Sequence, residues 1–211
     1  MDGTLISIRK RFCSVHREVC KKLEILPCSN EEYWHAKCKG IPSLEILKKQ
    51  GGEQHWRHYK LLRNQLIENK HFLEMDTLRT GTIIALNALE KLYTLVILSG
   101  RASKQQLQWQ LKLLKIDHLF YRVYVVSPYS SLEEKTALLR RLSSTDDIII
   151  GDTPTDILSG KAVKRHTVAI TGGLSTKERL VQSSPDYIVH QLIDIFRICS
   201  SFPRTGASAS S

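Results

Sequence analysis

The stretch Ile148-Ile149-Ile150-Gly151-Asp152-Thr153-Pro154-Thr155-Asp156 constrains this chain more than any other. Three consecutive β-branched apolar residues make a short buried strand of the kind found inside a parallel sheet. The strand ends on Gly151 and an acid follows at once. Pro154 suits the first turn of a helix, where its missing N–H costs nothing. Asp156 falls one turn on, and Ile157, Leu158, Ala162 and Val163 continue an apolar helical face. A strand, a tight turn and a helix thus carry two carboxylates at the carboxyl end of the strand, where open parallel sheets hold their ligands. Two acids there repel each other unless a cation shares them, and hard oxygen ligands suit Mg²⁺. Taken alone, the stretch is equally a capped helix with solvated acids.

The rest of the chain supplies the setting. Its 211 residues suffice for one sizeable domain, or for a core with a smaller insert. The formal net charge of +10 favours nucleic acid, anionic surfaces or phosphorylated substrates, and says nothing about fold. No apolar run approaches the ~18 residues of a membrane span, and no signal-like segment stands near the start. The cysteines (Cys13, Cys20, Cys28, Cys38 and Cys199) are odd in number and lack CxxC spacing, so a reducing, cytoplasmic compartment is expected.

Two textures divide the chain. Ile8, Phe12, Val15, Val19, Leu23 and Leu26 step by three and four, predicting a helix that Pro27 stops. Ser29, with Glu32 three residues later, forms a capping-box pattern for the next helix. A short helix over 43–49 and a longer one over about 53–73 follow, so residues 8–76 are expected to form an all-helical, basic insert. Beyond residue 76, strands near 94–99, 122–127, 148–150, 166–171 and 186–189 alternate with helices. That alternation predicts an α/β fold, a doubly wound, Rossmann-like parallel sheet built from residues 1–7 and 77–199. Residues 200–211 are small and polar, and are expected to be a disordered tail.

Asp2-Gly3-Thr4-Leu5 opens the chain, Ser99 ends one strand, Lys135 starts a helix, and Asp152 and Asp156 follow another strand. An acid, a hydroxyl, an ammonium and a metal-binding acid pair are what phosphoryl transfer requires. In MDGTLI, VILSGR, the lysine of EEKTALLRRL and IIIGDTPTDI, the sequence resembles the haloacid dehalogenase superfamily of phosphohydrolases, over everything but the tail. It looks most like the phosphoglycolate phosphatase and phosphoglucomutase-like branch, with residues 8–76 as the helical cap. The resemblance implies that Asp2 is the acid/base, with its backbone carbonyl on Mg²⁺. It makes Ser99 and the Gly100 amide the holders of the transferred phosphoryl, and Lys135 the cation that neutralises nucleophile and phosphate. Asp152 becomes the direct Mg²⁺ ligand, and Asp156 ligates or orients the metal's water. Arg101 either reaches substrate phosphate or caps its turn.

One departure stands out. The family's nucleophilic aspartate lies two residues before Asp2, a position ahead of Met1. The chain as written is therefore expected to lack the nucleophile and the first core strand, and to form no aspartyl-phosphate. Either the start lies inside a longer protein, or the chain is short and catalytically inactive, a binding protein that keeps the fold for a partner. The resemblance implies a small phosphorylated metabolite as substrate, with a phosphomutase or a nucleic-acid end phosphatase as rivals. No aromatic–basic stripe or reader motif supports nucleic acid, and a solvated basic face is the default. Cys13, His16 and Cys20 share one helical face, with Cys28, His35 and Cys38 beyond, but their spacing is not that of a zinc knuckle. Trp34, Trp56 and Tyr59 are expected in the core of the insert.

Overall fold

The computed structural model describes residues 1–199; the tail expected over 200–211 lies outside the described residues. After a short strand β1 (Ile6–Ser7), five helices follow in succession: α1 (Arg9–Lys22), α2 (Asn30–Cys38), α3 (Ser43–Lys49), α4 (Trp56–Ile67) and α5 (Lys70–Leu73). Val15, Val19 and Cys20 of α1 meet Leu47, Tyr59 and Phe72 in a hydrophobic cluster of their own. The predicted helix to Leu26 ends earlier. Glu24 turns left-handed at φ 56, the Ile25 N–H closes on the Cys20 carbonyl at 2.9 Å, and Leu26 is 85% exposed. The expected box opens α2, with the Glu32 N–H on Ser29 Oγ at 3.2 Å and the Ser29 N–H on Glu32 Oε2 at 2.9 Å. The long helix predicted to residue 73 breaks where the Asn69 side chain accepts from the His71 N–H at 3.0 Å and caps a fresh turn.

Strand β2 (Thr77–Leu78) returns the chain beside β1, antiparallel, with Ile6 opposite Leu78 and Ser7 opposite Thr77. The helical segment thus leaves and re-enters through adjacent strands. Then helix α6 (Thr82–Leu89) leads to β3 (Val96–Gly100), α7 (Lys104–Leu113) and β4 (Arg122–Val126). Helix α8 (Ser131–Leu142) leads to β5 (Ile148–Gly151), α9 (Pro154–Ala162) and β6 (His166–Ile170), and α10 (Lys177–Gln182), β7 (Tyr187–Val189) and α11 (Ile195–Cys199) close the described chain. Strands β3 and β4 pair in parallel, and so do β5, β6 and β7.

The Rossmann-like class expected from the alternation is present, but its sheet is divided into parallel ladders of two and three strands. Each of β3 and β5 has a second edge with no partner among the described strands, and a ladder cannot close without a strand there. Side chains nevertheless join the two halves: Ile97, Leu107 and Leu111 belong to the same buried cluster as Ile6, Val168 and Ile170. Among the described residues no helix is long and apolar enough to cross a membrane.

Candidate active site

The carboxyl ends of β3 and β5 open into a cavity of about 530 Å³, and the first residues of the chain line it together with α1, α2 and α4. Asp152 lies where strand gives way to turn and is 2% exposed. Thr4 Oγ1 donates to its Oδ1 at 2.7 Å, and the Leu174 N–H donates to Oδ2 at 2.8 Å. Gly3 packs against the same carboxylate at φ +73, so close that a Cβ there would stand 1.9 Å from Asp152 Oδ2. Arg79 holds this turn in place, donating to the carbonyls of Gly3 and, at 2.6 Å, of Thr171. Burial pushes the Asp152 carboxyl up, and the neighbouring Asp156 pushes it further.

Asp156 sits one turn into α9. Its Oδ1 accepts from Lys135 Nζ at 2.6 Å, and its Oδ2 accepts from Thr153 Oγ1 at 2.7 Å and the Thr153 N–H at 3.2 Å. Burial acts to raise its pKa, but the Lys135 ammonium and the Thr153 bond outweigh it and the net shift is downward. Lys135 is itself buried on α8, so the ammonium and the two acids lie in one wall of the cavity. Ser99 and Gly100, the last residues of β3, line the same space, and Ser99 is 5% exposed.

Asp2 is held differently. Its Oδ2 accepts from Arg11 at 2.6 Å, while its Oδ1 lies 3.5 Å from Arg101 and has no hydrogen-bond partner. Burial raises its pKa, but the two guanidiniums overcome that and bring it down to about 2. Such an acid is a carboxylate at neutral pH, the form that can accept a proton, but so low a pKa makes it a weak base while both guanidiniums face it.

Arg101 departs from both expectations. Its Nε donates to both carboxylate oxygens of Glu68 at 3.1 Å, and its Nη1 donates to Gln110 Oε1 at 2.6 Å. At 3% exposure, with these donors committed, it straps the helical segment to the α/β part rather than offering a free fork to phosphate or capping its turn. Gln110 passes the network on to Asp76 at 2.8 Å, and Arg11 Nε closes it on Asp76 at 3.0 Å. Reasoning from sequence missed Thr4, Arg11, Glu68, Asp76, Arg79 and Gln110. Two carried a signal: Arg11 and Gln110 occupy the apolar registers set by Ile8 and Val15, and by Leu107 and Leu111, where a polar side chain needs a buried partner. Tyr33 and Tyr59 are 1% exposed, placing Tyr59 in the core of the helical segment as expected.

Among the described residues no three His, Cys, Asp or Glu side chains cluster as a metal site. The donor chemistry still fits Mg²⁺, which takes one or two carboxylates and keeps several waters. Asp152 and Asp156 are hard oxygen donors whose mutual repulsion a cation would relieve, and Asp2 Oδ1 is a buried acceptor with no hydrogen-bond partner, 3.5 Å from Arg101.

A family model described as haloacid dehalogenase-like hydrolase matches residues 1–170. Pyrophosphatase PpaX of Bacillus mycoides (strain KBAB4) is 27% identical over 114 residues, 51% of this chain and 53% of that protein, so the match spans about half the length of this curated relative. In fold the chain is similar to a haloacid dehalogenase-like hydrolase of Streptococcus pneumoniae, with TM-score 0.79 and 21% identity over 94% of this chain and 95% of that one. It is also similar to a predicted phosphoglycolate phosphatase from Haemophilus somnus 129pt, with TM-score 0.75 and 18% identity over 94% and 95% of the two chains. With the family model matched across most of its length, the chain belongs to the haloacid dehalogenase-like hydrolases.

Proposed function

We propose that this chain is the body of a Mg²⁺-dependent phosphatase for a small phosphomonoester. The observation that carries the reading is the convergence of Ser99, Lys135, Asp152 and Asp156 on one cavity at the ends of parallel strands, with Lys135 and Asp156 in contact at 2.6 Å. Ser99 Oγ and the Gly100 amide hold phosphoryl oxygens, and Lys135 offsets their charge. Asp152, the Asp2 carbonyl and Asp156 would hold Mg²⁺, which supplies charge neutralisation at the phosphoryl group when bound. Asp2, which lines the cavity beside Arg11, serves as the group that passes a proton to the leaving oxygen and takes one from the attacking water. The helical segment serves as a cap over the cavity, and residues 77–199 with the opening turn serve as the core.

The resemblance assigns the covalent step to an aspartate two positions before Asp2, which this sequence does not include. The test is Mg²⁺-dependent turnover of p-nitrophenyl phosphate, by the chain as written and by the chain extended upstream with an apolar strand ending in Asp immediately before Met1. Activity is expected only in the extended form and is expected to be lost in its Asp152→Asn and Lys135→Met variants. Clear turnover by the short form overturns the assignment of the nucleophile, and inactivity of both forms overturns the phosphatase reading. Pyrophosphate belongs in the substrate panel because the curated relative is named a pyrophosphatase.

A further inference from the structure

The cations around the cavity fall into two groups. Those toward the strand ends are neutralised: Arg11 by Asp2 and Asp76, Arg101 by Glu68, and Lys135 by Asp156. Lys37 of α2, Arg63 of α4 and Arg179 of α10 line the same cavity, and among the described residues none of the three has an ion-pair partner. Lys37 Nζ donates to the Ser43 hydroxyl at 3.4 Å. Arg179 Nη1 donates to the Cys38 carbonyl at 3.2 Å and to Ser175 Oγ at 3.5 Å. The guanidinium of Arg63 lies 5.7 Å from the ring centre of Phe12.

This crowding is unfavourable as it stands. Burial, Arg63 and Arg179, in that order, draw the Lys37 ammonium down to about 8. Arg179 is held by backbone shape as well, because a Cβ on Gly40 would stand 2.5 Å from its guanidinium carbon. Three positive groups on one cavity wall, with no carboxylate among them, gain most from an oxyanion delivered by a ligand.

We propose that the cavity takes phosphoesters bearing a second oxyanion, a carboxylate or another phosphate, and that Lys37, Arg63 and Arg179 hold this second group. The proposal rests on the phosphatase reading for the first group, which the Ser99 and Lys135 side receives. Phosphates of uncharged alcohols or sugars, with no second anion, leave the three cations uncompensated and bind more weakly.

Calorimetric titration of the full chain in Mg²⁺ with methylphosphonate, phosphonoacetate and methylenediphosphonate tests this. At least one two-headed ligand is expected to bind about tenfold or more tightly than methylphosphonate, the return on one additional charge-assisted contact. Tighter binding of phosphonoacetate identifies a carboxylate as the second group, and tighter binding of methylenediphosphonate identifies a phosphate. Lys37→Met and Arg179→Met are each expected to shrink that ratio severalfold, with unfolding midpoints measured alongside to verify the fold. Equal affinity for all three ligands, or a ratio unchanged in the Lys37→Met, Arg179→Met double variant, overturns the proposal while leaving the phosphatase reading intact. Failure of wild type to bind any of the three overturns both. Two-headed binding that depends on Lys37 but is indifferent to Ser99→Ala retains the anion site and removes the phosphatase reading.

Discussion

Thr4 Oγ1 donates a 2.7 Å hydrogen bond to Asp152 Oδ1 across 148 residues of sequence. Both residues are buried, so the bond joins the opening Asp-Gly-Thr turn to the end of β5 without competition from water. Thr4→Val preserves shape and removes the donor. It leaves Asp152 with the Leu174 amide alone among its hydrogen-bond donors and is expected to cost about 1–3 kcal/mol, the penalty for stranding a buried acceptor. Urea unfolding at neutral pH reads this directly, and an unshifted midpoint means the bond contributes nothing.

Gly3 packs its backbone against the same carboxylate. Its φ of +73 disfavours any side chain, and a Cβ would meet Asp152 Oδ2 at 1.9 Å. Gly51 supplies the control, because it shares the left-handed backbone at φ +70 but has nothing within 4 Å of a built Cβ. Gly51→Ala is expected to cost about 1–2 kcal/mol, from backbone strain alone. Gly3→Ala is expected to cost clearly more and to weaken Mg²⁺ binding by displacing Asp152. Equal losses at the two positions remove the steric argument.

What the sequence discloses about this site follows from how local each part is. The strand, turn and helix that carry Asp152 and Asp156 lie within nine consecutive residues, so their mutual placement is visible in the residue types alone. Lys135 can be placed only to a helix; that it reaches Asp156 at 2.6 Å is a consequence of how α8 packs beside α9. The Arg11–Asp76–Gln110–Arg101–Glu68 network draws on separate helices and loops, and no spacing rule links them. Sequence alone therefore leaves Arg101 open between substrate phosphate and its own turn, whereas its partner lies 33 residues upstream, at the end of α4. Strands β1 and β2 are two residues each, too short for a period-2 pattern to register. The break after Ile67 was hidden because apolar spacing continues through it into Phe72 and Leu73, while the deciding event is one side-chain cap at Asn69.

The Arg101–Glu68 pair, with side chains 2% and 13% exposed, is buried enough for loss of one partner to matter. Glu68→Gln keeps the shape and one acceptor but leaves a buried guanidinium short of a countercharge, at an expected cost of about 3 kcal/mol. In a double-mutant cycle with Arg101→Met, a coupling above about 1 kcal/mol is expected, because the two side chains act as one unit. Strictly additive losses would show that the strap between the helical segment and the α/β part does not depend on this contact.

His16 gives the helical segment a sensitivity to acid. It is 1% exposed and stacked on Tyr33 at 4.1 Å, with Nδ1 2.8 Å from the Tyr59 hydroxyl. Burial first, then the Lys37 and Arg63 cations, lower its pKa from 6.5 to about 4. Between those two values the unfolded chain binds a proton that the folded chain refuses, so stability falls as pH drops below 6.5 and the full loss is reached below about 4. The separation corresponds to about 3 kcal/mol. Carboxylates also titrate in this window, so the quantity to measure is the difference between wild type and His16→Phe, which retains an aromatic ring against Tyr33. Urea midpoints compared at pH 7 and pH 4.5 are expected to fall less steeply in the variant. Parallel declines would mean that the imidazole accepts its proton in the folded state without cost, contrary to its burial between two tyrosines and beside two cations.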